Sequence, residues 1–291
     1  MTPRAGRPVP TVRFGARGLP ADRAAVMATV APTPNLRSDR GVTYPDSHPD
    51  QVAMAAVDRA VHEGADILDI GAAEDTRRVV AFVAAVRERY PELLISVQTW
   101  RCDVARPVLE VGADILSWAG ADLELAEVAA ERRCGVVCRY TGCASRRTRP
   151  PRIPGTDVVR DVIDDLTAQA TTLVGLGVQK EAILIDPTRD VGKDTWPGLE
   201  LLRRSHDLVA TGWPVLMTLS NKDFGETLDA GMDGRLDGIL AATAIAAWAS
   251  IRVFRVHQVR QTRRVLEMVA SIAGTRPPAS AIRGLTMREP E

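Results

Sequence analysis

Short apolar segments alternate with helical patterns along most of this 291-residue chain. Eight segments have the length and apolar composition of buried strands, at residues 24–30, 65–70, 93–97, 113–116, 135–140, 182–185, 214–219 and 252–256. A helical pattern follows each one, at residues 49–63, 74–89, 102–110, 123–132, 157–176, 197–204, 238–250 and 259–273. Strands that alternate with helices pair in parallel and are buried on both faces.

Eight such units predict a (β/α)8 TIM barrel over residues 23–274. The alternative is a doubly wound open sheet, which in its dinucleotide-binding form has a glycine-rich turn after the first strand. Residues 31–41 contain no such turn, so we favour the barrel. The flanking segments are rich in Pro and Arg and lack periodicity. We therefore expect a flexible N-terminal arm over residues 1–22 and an irregular C-terminal tail over residues 275–291.

Charge and cysteine content argue against several classes of protein. The 37 basic and 37 acidic residues balance, so bulk charge gives no reason to expect a nucleic acid or an anionic membrane as a partner. Cys102, Cys134, Cys138 and Cys143 have neither the spacing of a disulfide framework nor a CxxC pair for zinc. No apolar run has transmembrane length, and the N-terminus lacks the apolar core of a signal peptide. We expect a cytoplasmic protein.

The end of the last strand is the first candidate site. In a TIM barrel the active site lies at the C-terminal ends of the strands. Arg255 and His257 stand there, directly before a helix, and strand alternation would place them on the same side. Two cations beside the free N–H groups of a helix N-terminus are typical of an anion site. The same rule selects candidates after the other strands: Asn35, Asp39, Glu74, Gln98, Ser117, Tyr140, Asp186, Ser220, Asn221 and Lys222.

Several motifs resemble the pterin-binding barrel of the dihydropteroate synthase family. They are Ile185-Asp186-Pro187 with Gly192-Lys193, Ser220-Asn221-Lys222, and Arg255-Val256-His257, in the family's order. The runs at residues 211–223 and 264–271 resemble the divergent second, inactive paralogue of actinobacteria. The resemblance covers about residues 24–270. It implies the same barrel, and a relationship to enzymes that join a dihydropterin pyrophosphate to p-aminobenzoate with the help of Mg²⁺.

The resemblance also implies roles for individual residues. Arg255 and His257, with Asn221 beside them, correspond to the pyrophosphate site, where a guanidinium and an imidazolium stabilise the departing charge. Asp186 corresponds to the carboxylate that binds the amino-pyrimidine edge of the pterin. Lys222 corresponds to the lysine that lies against the pterin ring. Lys222 and Asp186 are therefore the candidate catalytic residues.

Other family positions carry different residues here. Ala31 and Asn35 stand where the family has Asn and Asp after the first strand, so Mg²⁺ loses an amide ligand and Asp39 is the remaining candidate. Gln98 replaces a pterin-contacting carboxylate. Ser117 and Trp118 stand where the family has Asn and Asp after the fourth strand, so a second pterin contact, an amide, is lost. The long loop that covers p-aminobenzoate is missing after residues 69–73. The sequence assigns no cofactor to this chain, since the Mg²⁺ that the family uses has lost its amide ligand here.

These differences lead to a hypothesis and two alternatives. The leading hypothesis is a dihydropteroate synthase-like protein that lacks the parent condensation and retains a phosphate or pyrophosphate pocket; whether it is an enzyme stays open. One alternative is a barrel recruited to another transfer or elimination reaction, with Tyr140, Trp118 and Gln98 lining its pocket. Another is a non-catalytic binding partner. The expected ligand is a small molecule with a phosphate or a pterin-like ring. The expected assembly is a homodimer through residues 240–249, which include Trp248.

Overall fold

The structure is a computed structural model that describes residues 11–31, 49–71, 75–119, 122–140, 157–188, 195–219, 226–229, 231 and 234–280. Its strands are β1 Arg13–Phe14, β2 Arg17–Gly18, β3 Ala25–Val30, β4 Ile67–Ile70, β5 Leu94–Gln98, β6 Ile115–Ala119, β7 Gly135–Arg139, β8 Ile183–Asp186, β9 Leu216–Thr218 and β10 Val253–Val256. Its α-helices are α1 Pro49–His62, α2 Thr76–Arg89, α3 Cys102–Glu110, α4 Leu123–Arg132, α5 Val158–Gly175, α6 Thr195–Arg203, α7 Ser205–Ala210, α8 Arg235–Trp248 and α9 Val259–Ala273. None of these helices is long and apolar enough to cross a bilayer.

Strands β3 to β10 form one parallel sheet that closes into a barrel. Their order is β8-β7-β6-β5-β4-β3-β10-β9. The two ends of this order meet where Ile185 forms a parallel bridge with Val215, and where the Ile185 N–H donates to the Pro214 carbonyl at 3.0 Å. Closure confirms the predicted (β/α)8 barrel and excludes the open sheet. The helix predicted at residues 197–204 is instead two short helices, α6 and α7.

The interior of the barrel is apolar near the N-terminal ends of its strands. One inward side chain from each strand contributes to this layer, and each is at most 4% exposed: Met27, Ile67, Leu94, Ile115, Val137, Leu184, Leu216 and Val253. Because side chains of a strand alternate between its two faces, the residues two positions further along also point inward. Most of those residues are polar, so the interior changes character toward the mouth of the barrel.

The hairpin β1–β2 closes the N-terminal end of the barrel. Val12 and Phe14 are each 2% exposed and join the apolar interior cluster. Phe14 lies over Gly135, where an added Cβ would stand 2.2 Å from its Cδ1. Of the N-terminal arm predicted over residues 1–22, residues 11–22 lie against the barrel, because burial of two apolar side chains fixes this part of the chain. Residues 1–10 lie outside the described part.

A buried aspartate links the hairpin to the barrel. Asp114 precedes β6 and accepts hydrogen bonds from Arg17 at 2.9 Å, from Arg87 at 2.6 Å and from the Ile95 N–H at 2.8 Å. Arg87 also donates to the carbonyl of Gly112, whose φ of 108° favours glycine. The arginine lies so close that a Cβ on Gly112 would stand 2.9 Å from it. One carboxylate thus joins the N-terminal segment, a helix and a neighbouring strand.

The same arrangement occurs a second time before β4. Asp66 accepts from the Val26 N–H at 2.8 Å, pairs with Arg23 at 3.0 Å and also binds Arg263. Arg263 donates to the carbonyl of Gly64, whose φ is 95°. We refer to the hydrogen-bonded groups around Asp114 and Asp66 as the two aspartate clamps. Both contain the same sequence, Gly-Ala-Asp-Ile-Leu. The repeat therefore fastens two parts of the N-terminal segment to the closed end of the barrel.

Candidate functional site

Polar side chains replace apolar ones inside the half of the barrel that leads to its mouth. We refer to this group as the polar floor: Asp69, Ser96, Gln98, Ser117, Arg139, Asp186, Thr218 and Arg255. Gln98 and Thr218 are half-buried, whereas the other six are at most 7% exposed. Each member lies two or four positions after an apolar interior residue of its own strand. The C-terminal ends of the strands thus converge on one buried polar layer, as the barrel architecture requires.

Arg255 lies at the centre of the polar floor. Its Nη1 donates to Asp186 Oδ2 at 2.7 Å, and its Nε lies 3.0 Å from Asp69 Oδ2. Its Nη2 reaches the hydroxyl of Ser117 at 3.5 Å. Burial disfavours the charge, but the two carboxylates outweigh it and raise the pKa of the Arg255 guanidinium above its usual value. Arg255 is therefore a cation that the two acids share.

Asp186 is saturated by side chains of the protein. Its Oδ1 accepts from the Thr188 N–H at 3.0 Å and from the Thr188 hydroxyl at 2.5 Å. Its Oδ2 binds Arg255 and also lies 4.0 Å from Arg139 Nε. The Thr188 hydroxyl in turn accepts from the Thr218 N–H at 2.8 Å. Both oxygens of this carboxylate are therefore engaged within the chain.

Gln98 connects Asp69, the other carboxylate of the floor, to the guanidinium of Arg139. Its Nε2 donates to Asp69 Oδ2 at 2.5 Å, and its Oε1 accepts from Arg139 Nη1 at 3.1 Å. Ser96 donates to the other oxygen of Asp69 at 2.8 Å. These contacts fix which way the amide of Gln98 points, since only its nitrogen can donate to a carboxylate. The floor then holds two carboxylates and two guanidinium groups, with no net charge.

The predicted pair of cations does not share one environment. Strand β10 ends at Val256, so Arg255 is 6% exposed inside the barrel while His257 is exposed beyond the strand. His257 lies directly before α9, whose N-cap residue Gln258 makes no side-chain capping bond. Alternation would have kept both side chains together only in a longer strand. Of the two predicted cations, only His257 is exposed beside a helix N-terminus.

Two residues predicted to line the pocket point the other way. Trp118 is 4% exposed and packs in the apolar layer between barrel and helices, where it borders a small cavity with Cys138 and Leu173. Tyr140 packs against the same layer. Their chain neighbours Ser117 and Arg139 point inward instead. The prediction that Trp118 and Tyr140 line the pocket is therefore wrong, because adjacent residues of a strand occupy opposite faces.

Sequence reasoning missed several members of the polar floor. Neither Arg139 nor Asp69 was selected, although both face the barrel interior with Asp186 and Arg255. Ser96 and Thr218 were not selected either, nor was Thr188, which binds Asp186 from outside the floor. The signal that would have found Arg139, Asp69 and Thr218 is the two-residue step from each apolar interior position. Gln98, Ser117, Asp186 and Arg255 were selected, and the structure brings these four together.

The remaining candidates fall outside this group. Ala31 follows β3 and is half-buried, and its side chain is a methyl group with no metal ligand to offer. No three His, Cys, Asp or Glu side chains of the described residues could hold one metal ion together. Further candidates lie outside the described part: Asn35, Asp39, Glu74, Ser220, Asn221 and Lys222.

Comparison with known proteins identifies relatives of this barrel. The family model for pterin binding enzyme matches residues 27–257. Inactive dihydropteroate synthase 2 of Mycobacterium leprae is 51% identical, over 92% of this chain and 97% of the relative. The protein of the same name from Mycobacterium tuberculosis strain H37Rv is 49% identical, over 92% of this chain and 89% of the relative.

Solved structures agree with this assignment. Mycobacterium tuberculosis Rv1207 is similar with a TM-score of 0.72 and 44% identity, over 91% of this chain and 99% of that one. The dihydropteroate synthase of Xanthomonas albilineans, solved in complex with 7,8-dihydropteroate, is similar with a TM-score of 0.77 and 29% identity, over 90% of this chain and 98% of that one. By sequence and by fold, this chain belongs to the pterin-binding enzyme family, as a dihydropteroate synthase-like TIM barrel.

Proposed function

We propose that this protein does not join a dihydropterin pyrophosphate to p-aminobenzoate and that it retains a site for the phosphate end of a small molecule. The observation that carries the first part is the environment of Gln98. This residue stands where the resemblance implies a pterin-contacting carboxylate, and its amide is held between Asp69 and Arg139 at 2.5 and 3.1 Å. An amide in this position offers the ring a donor where an acceptor is needed, at a cost of about 1–3 kcal/mol.

The short connection between β4 and α2 supports the same conclusion. Strand β4 ends at Ile70, and α2 begins at Thr76 with Asp75 as its N-cap. Five residues therefore separate the two elements, which leaves no room for the long loop that covers p-aminobenzoate in the family. The mycobacterial relatives at 49–51% identity carry the name inactive dihydropteroate synthase 2. Loss of the loop would remove the second substrate's site even if the first substrate bound.

The phosphate end of the ligand would lie around His257. Its side chain is exposed directly before α9, where the first N–H groups of the helix have no side-chain cap from Gln258. A phosphate accepts hydrogen bonds from both kinds of donor and is favoured by the helix dipole. Lys222 and Asn221 are assigned to this site by the family resemblance. Arg255 lies in the floor below, where Asp69 and Asp186 already balance its charge, so the anion would be held chiefly by His257 and the helix N-terminus.

A condensation assay tests the first part of the proposal. The protein would be incubated with 6-hydroxymethyl-7,8-dihydropterin pyrophosphate, p-aminobenzoate and Mg²⁺, and dihydropteroate would be measured. We expect no product above the buffer blank, while an active dihydropteroate synthase assayed in parallel turns over. Turnover within about tenfold of the active enzyme would refute the proposal.

Pyrophosphate binding tests the second part. Isothermal titration with inorganic pyrophosphate should give saturable binding to the wild-type protein, and His257→Ala should weaken it by about tenfold, or about 1.4 kcal/mol. The matched control is His206→Ala, since His206 is an exposed histidine on α7. Equal affinities for the wild type and His257→Ala would contradict the placement of the phosphate.

The proposal includes the setting in which the protein works. We place it in the cytoplasm as a homodimer with a phosphate-bearing small molecule as ligand and without a nucleic-acid partner. The outer faces of α8 and α9 support the dimer, because they carry three exposed apolar side chains: Ile245 at 55%, Met268 at 62% and Ile272 at 60%. A self-associating surface would bury these side chains together, since contiguous exposed apolar patches are typical of contacts with other proteins.

A further inference from the structure

We infer that Arg139 is a specificity-determining residue. Held in place by Gln98, Arg139 prevents the amino-pyrimidine edge of a pterin from binding at the polar floor. The ligand is thereby restricted to phosphate-bearing molecules without such an edge. The inference rests on the proposed function and names the ligand class of that site. It begins with the charges of four buried groups. Asp69 and Asp186 are fully buried, and Arg139 and Arg255 are 7% and 6% exposed.

A buried carboxylate requires a partner, since an unpaired charge inside a protein is costly. Arg255 contacts both acids, at 2.7 Å for Asp186 and 3.0 Å for Asp69, but it supplies only one positive charge for two negative ones. With Arg255 alone, the floor would carry one uncompensated negative charge. Such a floor would attract a ligand that brings N–H donors.

Arg139 removes that attraction. Its Nε lies 4.0 Å from Asp186 Oδ2, so its charge compensates the second carboxylate. The hydrogen bond from Arg139 Nη1 to Gln98 Oε1 holds the guanidinium in place at 3.1 Å. The amino group of Gln98 simultaneously occupies Asp69 at 2.5 Å. The floor is therefore electrically neutral, and each oxygen of both acids already accepts a hydrogen bond from the protein.

The amino-pyrimidine edge of a pterin presents adjacent N–H donors that need a carboxylate. At Asp186, Arg255 and Thr188 already make those contacts, at 2.7 Å and 2.5–3.0 Å. A pterin would have to displace Arg255 and bring it nearer to the like charge of Arg139. A phosphate ester without such an edge would need no exchange at the floor and would bind at the mouth. Specificity then comes from exclusion of the amino-pyrimidine edge at the floor as well as from binding of the phosphate at the mouth.

Titration calorimetry with the full-length protein tests the inference, with phosphate-free 6-hydroxymethylpterin as the probe. Wild-type protein should show no saturable binding up to about 1 mM. Arg139→Gln keeps a polar contact for Gln98 but removes the charge, and it should bind the probe at least about tenfold more tightly than wild type. Arg139→Met should act in the same direction, and Gln98→Leu, which releases Arg139, should have a smaller effect of the same sign. The matched control is Arg160→Met, which removes an exposed charge on α5 and should leave binding as in wild type.

The outcomes separate this inference from the proposed function. Binding of the probe to the wild-type protein with a Kd below about 10 µM would overturn the inference, even if the condensation assay gives no product. Folded Arg139 variants with no gain in affinity would overturn it as well. Dihydropteroate synthesis by the wild type would refute the proposed function. If neither Arg139 variant folds, as judged by circular dichroism, the wild-type titration and Gln98→Leu decide.

Discussion

At the scale of single residues, the largely buried carboxylates of the described barrel accept several directed hydrogen bonds each. Asp114 has three partners, and its side chain is only 9% exposed. Removing one member of a buried pair leaves the other desolvated and uncompensated, which costs more than the net strength of the pair itself. The stability of the closed end of the barrel therefore depends on a few carboxylates rather than on the many exposed ion pairs.

Asp114→Ala should lower the free energy of unfolding by about 3 kcal/mol, because it leaves Arg17, Arg87 and the Ile95 N–H without their acceptor. Urea denaturation followed by circular dichroism would measure the change. Asp103→Ala is the matched control, since Asp103 forms an exposed pair with Arg101. We expect the control to unfold as the wild type does, and equal effects of the two substitutions would contradict the clamp.

Buried thiols should make stability depend on pH in the alkaline range. Burial raises the pKa of Cys134 from 9.0 to about 12, and it also raises the pKa of Cys138. Above pH 9 the unfolded thiol loses its proton while the folded thiol keeps it, so this contribution to stability is complete below pH 9 and falls as pH rises toward 12. Cys134→Val should make the decline between pH 9 and 11 shallower by about 1.4 kcal/mol per pH unit. Urea denaturation at several pH values measures the slopes, and identical slopes for variant and wild type would refute this assignment.

At the scale of elements, the hairpin β1–β2 is too short to be stable alone and depends on what it covers. Each of its strands has two residues, and two paired positions hold them together. Phe14 provides the contact, because its ring occupies the space over Gly135 at the start of β7. A side chain at this position of β7 would collide with the ring. The glycine and the phenylalanine therefore have to be considered as one packing unit.

Gly135→Ala should destabilise the protein by about 1–3 kcal/mol, because its Cβ would overlap the ring of Phe14 at 2.2 Å. Phe14→Ala alone should also destabilise, by about 3 kcal/mol, through loss of buried area. The double variant should be more stable than the sum of the two effects predicts, since the small side chain removes the overlap. Thermal unfolding of all four proteins measures the coupling, and simple additivity would contradict direct packing.

At the scale of the whole molecule, the described barrel has a closed end, a polar floor and an outer ring of helices that includes α8 and α9, which expose apolar side chains. Ile245 lies on α8, and Met268 and Ile272 lie on α9. These helices pack against each other on the outside of the barrel. Their outer surface includes the helix segment that we expect to form the dimer contact. A C2 dimer would pair this surface with itself and bury all three side chains.

Ile245→Glu should convert the proposed dimer to a monomer at about 10 µM protein, because a buried glutamate pair at a two-fold interface would be repelled and desolvated. Size-exclusion chromatography with light scattering measures the mass directly. Val174→Glu is the control, since Val174 is also exposed, at 40%, but lies on α5. A monomeric wild type, or a dimeric Ile245→Glu variant, would refute the interface.

The sequence by itself determined the barrel and much of its polar layer. Local periodicity was enough for the strands and helices, and the rule that sites lie at strand ends selected Gln98, Ser117, Asp186 and Arg255. Residue type and chain order carry this information, because a parallel sheet buried on both faces leaves few positions for polar groups. Family resemblance supplied the roles of Lys222 and Asn221.

Tertiary structure alone decided which neighbour of each pair points inward and which charges meet. Trp118 lies within β6 and Tyr140 follows β7, and both pack on the outer face, while Arg139, one position away from Tyr140, joins the floor. A shift of one residue in the alternation reverses every such assignment, and the sequence of a short strand does not define which residues point inward. Neither the sharing of Arg255 by Asp69 and Asp186 nor the place of Phe14 over Gly135 follows from sequence spacing. These contacts join residues far apart in the chain, and only closure of the barrel brings them within bonding distance.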